Sequence, residues 1–243
     1  MKILYLFLLI VLVSITCSAQ PTVWNSVGIG AGGALYSPSI NPANPSEIYV
    51  ASAASAMYRT ADLAATWQTV NFRTMQTSDY VVSKVQFTND PTILYVLATD
   101  PETGFSLPMK SSDAGATWLP LDFDPTDGGG ITLIADYSNP NRLLISDYST
   151  IYLSTDGGQN FINKYDDATG SGCHLAGAFF DGNSIYIGTN AGVLSSTNNG
   201  ASFTMLTLGN MPVGEAIVSF SGAKQGSTTR FYAVTLDEFD RVW

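Results

Sequence analysis

The sequence predicts an all-β chain folded as a β-propeller of four-stranded antiparallel blades, with four complete blades and part of a fifth. Three observations support this prediction. A short turn motif recurs four times, with steps of 51, 43 and 42 residues between its third positions. Short apolar stretches alternate with turns rich in Asn, Pro and Gly between the copies. A period of roughly 40 to 50 residues that holds several short strands is typical of propeller blades.

The motif itself predicts a tight hairpin. It pairs Ser or Thr with Asp or Asn two residues later and reads "TADLAATW", "SSDAGATW", "STDGGQNF" and "STNNGASF". The Asp or Asn side chain accepts hydrogen bonds from nearby backbone N–H groups, and Gly115, Gly158 and Gly200 suit a positive φ. Ala64 departs from the pattern at the glycine position of the first copy. Asp113 and Asp156 are therefore predicted to stabilise turns and to perform no chemistry.

The elements of each unit follow in a fixed order. An apolar first strand such as "SKVQFT" or "GITLIAD" leads through a turn such as "TNDPT" or "SNPNR" to a second strand such as "LYVLAT" or "LLISDY". A third strand runs into the motif, and the fourth strand begins with the motif's aromatic residue. Four strands joined by tight turns make one antiparallel blade.

The two ends of the repeat leave two interpretations open. Residues 28–207 supply four blades and residues 214–243 part of a fifth, while Trp24–Val27 resembles the fourth strand at Trp67–Val70. In the favoured interpretation the chain is a fragment of a larger propeller. In the alternative, the N-terminal strand completes the fifth blade and closes a five-bladed ring, which removes exposed sheet edges.

Residues 1–19 have the pattern of a secretory signal peptide, which leaves residues 20–243 as one propeller domain. One lysine precedes an apolar run from Ile3 to about Ile15, and small residues end at Ala19. Such a run is too short to span a bilayer. The expected location is secreted or periplasmic; a membrane anchor and a lipid anchor at Cys17 are the alternatives.

Composition excludes several classes of function. The formal net charge is -10, with 10 lysines and arginines against 20 acidic residues, which is unfavourable for binding nucleic acid. Cleavage would leave Cys173 as the only cysteine, and His174 is the only histidine. Cysteine-based metal clusters and histidine-based triads are therefore not expected. No cofactor, no metal and no membrane-spanning segment in the mature chain are predicted.

Consecutive strands of a blade run antiparallel, so successive connections lie on opposite faces of the propeller. The loops between second and third strands are therefore predicted to share one face with the inter-blade links, opposite the motif hairpins. By this assignment the face holds thirteen acids, namely Asp79, Asp100, Glu102, Asp122, Asp124, Asp127, Asp147, Asp166, Asp167, Glu215, Asp237, Glu238 and Asp240. It also holds the aromatic residues Phe72, Tyr80, Phe105, Tyr148, Tyr165 and Phe239. Rings stack on sugar faces and carboxylates bind hydroxyl groups, so the face suits a neutral polysaccharide; ordinary polar surface loops are the alternative.

Two stretches on this face invite a metal or catalytic interpretation. "DFDPTDGGG" places carboxylates at 122, 124 and 127, but their spacing differs from that of a calcium-binding EF-hand, so an inter-blade linker is expected. "YDDATGSGCH" brings Asp166 and Asp167 near His174 in sequence, and a solvated loop is expected there.

The motif resembles the Asp-box, or bacterial neuraminidase repeat, found in sialidases, sortilin-type receptors, photosystem II assembly factors and xyloglucan hydrolases. Residues 23–67, with "GIGAGG", "IYV" and "YRTAD", are similar to the start of xyloglucan-hydrolysing propellers. That resemblance implies a catalytic acid in the loop after "IYV", but Ser52–Ala56 contains no carboxylate there. Sialidase activity would need an arginine cluster, and only Arg59, Arg73, Arg142, Arg230 and Arg241 are present.

These observations lead to two functional hypotheses. The first is a secreted, carbohydrate-associated propeller resembling xyloglucan hydrolases, inactive or incomplete in this chain. The second is a non-catalytic scaffold that binds protein partners, like the sortilin-type receptors or the photosystem II assembly factors. The ligand is expected on the face opposite the Asp-boxes. If the chain catalyses glycoside hydrolysis, the candidate catalytic residues are Asp100 and Asp147, both on loops between second and third strands.

Overall fold

The computed structural model describes residues 33–78, 82, 84–167, 172–209 and 211–237. Its regular elements are eighteen β-strands. In chain order they are β1 Leu35–Ile40, β2 Ile48–Ser52, β3 Met57–Thr60, β4 Gln68–Thr69, β5 Gln86–Phe87, β6 Leu94–Thr99, β7 Ser106–Ser111, β8 Leu119–Pro120, β9 Thr132–Ala135, β10 Leu143–Ser146, β11 Thr150–Ser154, β12 Ile162–Asp166, β13 Leu175–Asp181, β14 Ser184–Thr189, β15 Gly192–Ser196, β16 Thr204–Met205, β17 Ala216–Gln225 and β18 Thr228–Leu236. None of the described segments forms an apolar helix of membrane-spanning length.

The strands form four four-stranded antiparallel sheets and one two-stranded sheet. Each four-stranded sheet takes its strands in sequence order, so β1–β4, β5–β8, β9–β12 and β13–β16 are blades 1 to 4, and β17–β18 is sheet 5. The blades are arranged as a β-propeller with sheet 5 as a partial extra blade. The predicted fold class is therefore confirmed.

Apolar side chains of each blade fill the space between it and the next. Side chains alternate along a strand, so β6 directs Leu94 and Val96 into the cluster shared with blade 1 and Tyr95 and Leu97 into the cluster shared with blade 3. Two further clusters join blade 3 to blade 4 and blade 4 to sheet 5. The core is thus a series of inter-blade layers, because every inner blade is covered on both faces.

In blades 2, 3 and 4, the aromatic residue of the motif packs against the preceding blade. Trp118 of blade 2 lies edge-on to Tyr49 of blade 1, with ring centroids 6.5 Å apart. Phe161 of blade 3 packs on the cluster between blades 2 and 3, and Phe203 of blade 4 on the cluster between blades 3 and 4. The motif therefore supplies the side chain that attaches one blade to its neighbour.

The motif side chains form the predicted turn between the third and fourth strands. In blade 2, Ser111 Oγ donates to Asp113 Oδ1 at 2.8 Å and accepts the Gly115 N–H at 2.8 Å. Asp113 Oδ1 also accepts the Thr117 N–H at 2.8 Å, and Thr117 Oγ1 donates to Asp113 Oδ2 at 2.6 Å. The same pattern recurs around Asp62, Asp156 and Asn198. These residues build the hairpin, as predicted.

Ala64 occupies the glycine position of the first motif without changing the turn. Its φ is 68°, within the left-handed region of Gly115 at 82° and Gly200 at 78°. The Ala64 N–H donates to Thr60 Oγ1 at 3.0 Å, the same hydrogen bond that Gly115 makes to Ser111. The degenerate copy is therefore an intact Asp-box hairpin.

A backbone hydrogen bond ties each hairpin to the turn between the first and second strands of its own blade. The residue after the Asp or Asn is the donor in every case, and the pairs are Leu63 to Ser46, Ala114 to Thr92, Gly157 to Asn141 and Asn199 to Asn183. These two classes of turn therefore lie on one face of the propeller, as alternation predicts. This is the Asp-box face.

Acid is expected to weaken these turns through their carboxylates. Hydrogen bonds from Thr117 lower the pKa of Asp113 to about 2, and those from Thr66 lower the pKa of Asp62 to about 2. A pKa depressed by folding contributes stability that is complete above the unfolded value of 3.8 and is lost as pH falls towards 2. Asp113→Asn should therefore reduce the dependence of unfolding free energy on pH between about 4 and 2.

Denaturant unfolding of the parent chain and of Asp113→Asn across this pH range tests the prediction. The substitution is compatible with the turn, since Asn198 holds the same position in blade 4 and accepts the Ser202 N–H at 3.0 Å. Equal pH slopes for the two chains would contradict it.

Three sequence predictions lie outside the described residues. They are the signal peptide at 1–19, the strand at Trp24–Val27 and the last part of the predicted fifth blade at 238–243.

Candidate functional site

The loop face lies opposite the Asp-boxes and consists of the loops between second and third strands together with the inter-blade links. The links pack against these loops: Gln76 pairs with Thr99 at the end of β6. Thr77 Oγ1 donates to the Ser52 carbonyl at 2.7 Å. In blade 3, the Cys173 N–H donates to the Tyr148 carbonyl at 2.6 Å. Each link therefore supports a neighbouring loop.

Exposed aromatic rings are the most distinctive feature of this face. Phe72 and Phe123 stand on the two links that flank blade 2, and Phe105 and Tyr148 stand on the loops of blades 2 and 3. All four side chains are exposed. An apolar ring that remains exposed on a structured loop is available for contact with a ligand.

Two of these rings rest on glycines of the links. A Cβ added at Gly128 would stand 2.8 Å from Phe105 Cγ, and one added at Gly172 would stand 2.7 Å from Tyr148 Cζ. Both glycines also have positive φ values, 82° and 88°. The link backbone therefore packs against one side of each ring, and both side chains remain about half exposed.

Asp100, the first candidate catalytic residue, caps the loop of blade 2. Its Oδ1 accepts the N–H groups of Glu102 at 2.7 Å and Thr103 at 2.9 Å. These hydrogen bonds, that of Thr103 first, lower the pKa of Asp100. The carboxylate is therefore ionised at neutral pH, which is unfavourable for a general acid that must hold a proton.

Asp147, the second candidate, caps the corresponding turn of blade 3. Its Oδ1 accepts the N–H groups of Ser149 at 2.8 Å and Thr150 at 2.7 Å, and Oδ2 lies 3.5 Å from the Tyr152 hydroxyl. The structure places both candidates on the predicted loops. Each carboxylate is held by its own turn, and whether either takes part in catalysis stays a prediction.

Ser52–Ala56, the stretch in which the sequence resemblance implies a catalytic acid, is a compact turn. The Ser52 N–H donates to the Ala56 carbonyl at 2.8 Å, and the Ala54 N–H donates to Ser52 Oγ at 3.1 Å. Ser55 adopts a left-handed φ of 65°. This turn presents only small side chains, so it brings no carboxylate to the loop face.

The two acidic stretches also use their carboxylates locally. Asp124 accepts the N–H groups of Thr126 at 2.9 Å and Gly128 at 3.0 Å, which folds the link between blades 2 and 3. Asp166 ends strand β12, so it does not lie in the solvated loop predicted for it, and it accepts a hydrogen bond from Thr150 Oγ1 at 3.0 Å. Within the ranges that the structure describes, no three or more His, Cys, Asp or Glu side chains are grouped so that they could hold a metal ion.

Cys173 is buried and His174 is half-buried, beside the acidic loops of blade 3. Burial lowers the pKa of His174, whose Nε2 lies 3.1 Å from the Val218 carbonyl oxygen. Burial, reinforced by the charge of Asp167, raises the pKa of Cys173 to about 12. The Cys173 thiol is therefore protonated at neutral pH, unlike the thiolate form that acts as a nucleophile.

A groove of about 760 Å³ runs along the inner strands, with residues of β9, β13 and β17 among its lining. Small and polar side chains cover much of it, including Ala176, Ala178 and Ser219. No local sequence signal predicts this groove, because it forms only when first strands of successive blades come together.

The sequence prediction of the loop face omits Phe123, although its position between two acids in "DFDPTDGGG" was a usable signal. It did not single out the residue four after each motif Asp or Asn, which is always polar: Thr66, Thr117, Asn160 and Ser202. The predicted loop-face residues Asp79, Tyr80, Glu238, Phe239 and Asp240 lie outside the described residues.

Solved structures share this fold. The GH74 xyloglucanase of Xanthomonas campestris matches 89% of the chain at 20% identity with a TM-score of 0.64, and this match spans 36% of the enzyme. The GH74 enzyme of Niastella koreensis matches 81% at 20% identity with a TM-score of 0.55 and spans 27% of the enzyme. YCF48 from Cyanidioschyzon merolae matches 82% at 16% identity with a TM-score of 0.54 and spans 63% of that protein.

The chain thus spans about a third of the length of the xyloglucanases it matches, and these similarities establish a common propeller fold. A comparison with curated protein sequences found no match. The family model for photosynthesis system II assembly factor YCF48, a model of Asp-box repeats, matches residues 17–190, which is more than half of the chain. The chain therefore belongs to the family described as photosynthesis system II assembly factor YCF48.

Proposed function

We propose that this chain is a non-catalytic binding propeller that holds a segment of a partner protein on its loop face. The observation that carries the proposal is the group of exposed rings Phe72, Phe105, Phe123 and Tyr148 on loops whose carboxylates cap their own turns. Membership of a family described as an assembly factor supports a protein ligand. The rings would provide apolar contact area, as aromatic residues do at protein interfaces.

The charge of the loop face favours a positively charged segment. The loops and links of blades 2 and 3, together with the last residue of β12, carry Asp100, Glu102, Asp122, Asp124, Asp127, Asp147, Asp166 and Asp167. The link before blade 2 carries one arginine, Arg73, and one lysine, Lys84. Hydrogen bonds within its own turn lower the pKa of Asp100, so this capping carboxylate still contributes negative charge. Lysine and arginine side chains of a partner would complement this charge.

A neutral polysaccharide is the second candidate ligand. Exposed rings at successive loops suit stacking on sugar faces, and the fold is shared with GH74 xyloglucanases. The carbohydrate-associated function would then consist of binding without hydrolysis, because Ser52–Ala56 presents no carboxylate where the family resemblance implies the catalytic acid. Secretion of the chain remains part of this proposal.

One experiment distinguishes the two ligands. Peptides selected from a random displayed library and a set of xyloglucan oligosaccharides are titrated against the chain at low and high ionic strength. The protein-ligand proposal predicts that selected peptides are rich in lysine and arginine and that salt weakens their binding strongly. A neutral sugar is expected to bind with little dependence on salt.

Variants locate the bound ligand. Phe105→Ser and Tyr148→Ser should each weaken binding about tenfold or more, as loss of an interface ring typically does. Leu119→Ser is the matched control, because Leu119 is also exposed but lies on the outer strand β8. Peptide binding that survives both ring variants would contradict the assignment of the face. Cleavage of xyloglucan by the parent chain would contradict the non-catalytic role.

A further inference from the structure

The loops between second and third strands of blades 2 and 3 are built on one plan. Each carries an exposed ring, Phe105 at 57% exposure and Tyr148 at 51%. Each ring packs against a glycine of the following link, Gly128 or Gly172. The backbone of a link therefore supports both rings in the same way.

Two carboxylate-bearing residues are tied to the ring of blade 2. Asp124 Oδ2 accepts the N–H of Gly128, the glycine against which Phe105 packs, at 3.0 Å. The Asp100 N–H donates to the Phe105 carbonyl at 2.8 Å, which closes the loop. Asp100 caps the loop through Oδ1, and its Oδ2 makes no hydrogen bond within the described part of the chain. We name Phe105, Asp100 and Asp124 subsite 2.

Tyr148 has the same surroundings in blade 3. Asp167 Oδ2 accepts the N–H of Gly172, against which Tyr148 packs, at 2.8 Å. Asp147 directly precedes Tyr148 and caps the loop through Oδ1, as Asp100 does in blade 2. We name Tyr148, Asp147 and Asp167 subsite 3.

The corresponding loops of blades 1 and 4 carry no ring. Ser52–Ala56 contains only serine and alanine. In blade 4 the loop residues are Asn190 and Ala191, and Asn190 Nδ2 donates to the Gly172 carbonyl at 3.0 Å. Among the four described blades, the combination of a ring with carboxylates is therefore confined to two neighbours.

The segments that build the two subsites contain no lysine or arginine. They are residues 99–106, 121–131, 146–150 and 165–174, and together they carry eight acidic residues. A guanidinium group complements both features of a subsite, because it is always charged, pairs with carboxylates and stacks on an aromatic face.

We infer that subsites 2 and 3 bind two arginine side chains of one extended peptide, with one guanidinium stacked on Phe105 and the other on Tyr148. The inference rests on the proposed protein-binding function of the loop face and specifies what that face recognises. Packed sheets lie about 10 Å apart and an extended chain rises about 3.3 Å per residue, so the arginines should be about three or four residues apart.

Selection of peptides from a random displayed library on the parent chain tests this spacing. The selected peptides should share a pair of arginines at one constant separation. Selection on the Phe105→Ser chain should retain a single arginine and lose the pair, because only subsite 3 keeps its ring. Leu119→Ser, which alters an exposed leucine on β8, should leave the pair in place.

Synthetic variants of one selected peptide measure each subsite without altering the protein. Replacing either arginine with citrulline, which has the same shape and no charge, should raise the dissociation constant about tenfold. Moving one arginine by one residue keeps the composition and net charge, and should weaken binding to a similar extent. On the Phe105→Ser chain, one of the two citrulline peptides should bind as well as the unmodified peptide, since the ring for that arginine is already absent.

The outcomes separate this inference from the function on which it rests. Peptides that need the rings but show no constant arginine separation, or that tolerate the one-residue shift, would overturn the two-subsite inference and leave the binding face in place. Peptides whose binding survives both Phe105→Ser and Tyr148→Ser would overturn the proposed function as well.

Discussion

Replacing Arg142 with methionine is expected to lower the free energy of unfolding by about 3 to 5 kcal/mol. Arg142 Nε donates to Asp136 Oδ2 at 2.9 Å, and the two side chains are only 4% and 3% exposed. The same guanidinium donates to Asn199 Oδ1 at 2.6 Å and lies over the Phe180 ring. Its removal would leave the Asp136 carboxylate buried without its counter-charge, and would separate a turn of blade 3 from the Asp-box of blade 4.

Urea denaturation of the parent and variant chains measures this loss. Arg59→Met is the matched control, because Arg59 pairs with Glu47 at 2.6 Å but is 30% exposed. Water screens such a pair, so a cost of about 1 kcal/mol or less is expected. The combined replacement Asp136→Leu and Arg142→Met should cost less than Arg142→Met alone, since no charge stays buried. Equal losses for Arg142→Met and Arg59→Met would contradict the prediction.

Gly115→Ala is expected to cost about 2 to 4 kcal/mol through a clash between two blades and an unfavourable backbone angle. A Cβ at Gly115 would stand 2.2 Å from Tyr49 Oη, far inside contact distance. The φ of Gly115 is 82°, which an alanine adopts only with strain. The Asp-box glycine is therefore needed for the close approach of blade 2 to blade 1 as well as for the turn.

A double-mutant cycle separates the two contributions. The Tyr49 hydroxyl is buried and makes no hydrogen bond within the described part of the chain, so Tyr49→Phe alone should be close to neutral. In the chain that also carries Tyr49→Phe, Gly115→Ala should retain only the backbone cost of about 1 kcal/mol. Gly104→Ala is the control for that cost, because Gly104 has a φ of 74° and no neighbouring atom within 4 Å.

Thermal or denaturant unfolding of the four chains in this cycle supplies the coupling energy. If Gly115→Ala proves equally costly with and without the Tyr49 hydroxyl, the clash is absent and the inter-blade contact is wrongly assigned. A cost for Gly104→Ala as large as that for Gly115→Ala would show that backbone strain alone explains the loss.

The blade architecture was predictable because its signals are local in sequence. Ser111, Asp113 and Gly115 fold one turn among themselves, so their spacing is sufficient to identify the hairpin. The alternation of apolar residues in "LYVLAT" likewise follows from burial on both faces of β6. Repetition then determined the number of complete blades, since each motif marks the end of a third strand.

Contacts between distant residues were not predictable in this way. Arg142 bonds to Asn199, 57 residues away, and nothing in either local sequence identifies the partner. The approach of Gly115 to Tyr49 likewise requires two blades to be in place. Asp100 and Asp147 were placed on the correct loops, but only coordinates show that their oxygens accept backbone N–H groups. A sequence shows that a loop is acidic without showing how its carboxylates are used.

The hydrogen bond from each Asp-box to the first turn of its own blade has a consequence for how such proteins grow and fold. Donor and acceptor always belong to one unit, as in Ala114 to Thr92, so a blade can organise both of its turns before a neighbour arrives. Duplication of a unit therefore reproduces both partners of this hydrogen bond. Blade number can therefore change during evolution by whole units, while inter-blade glycines and rings constrain how closely successive units nest.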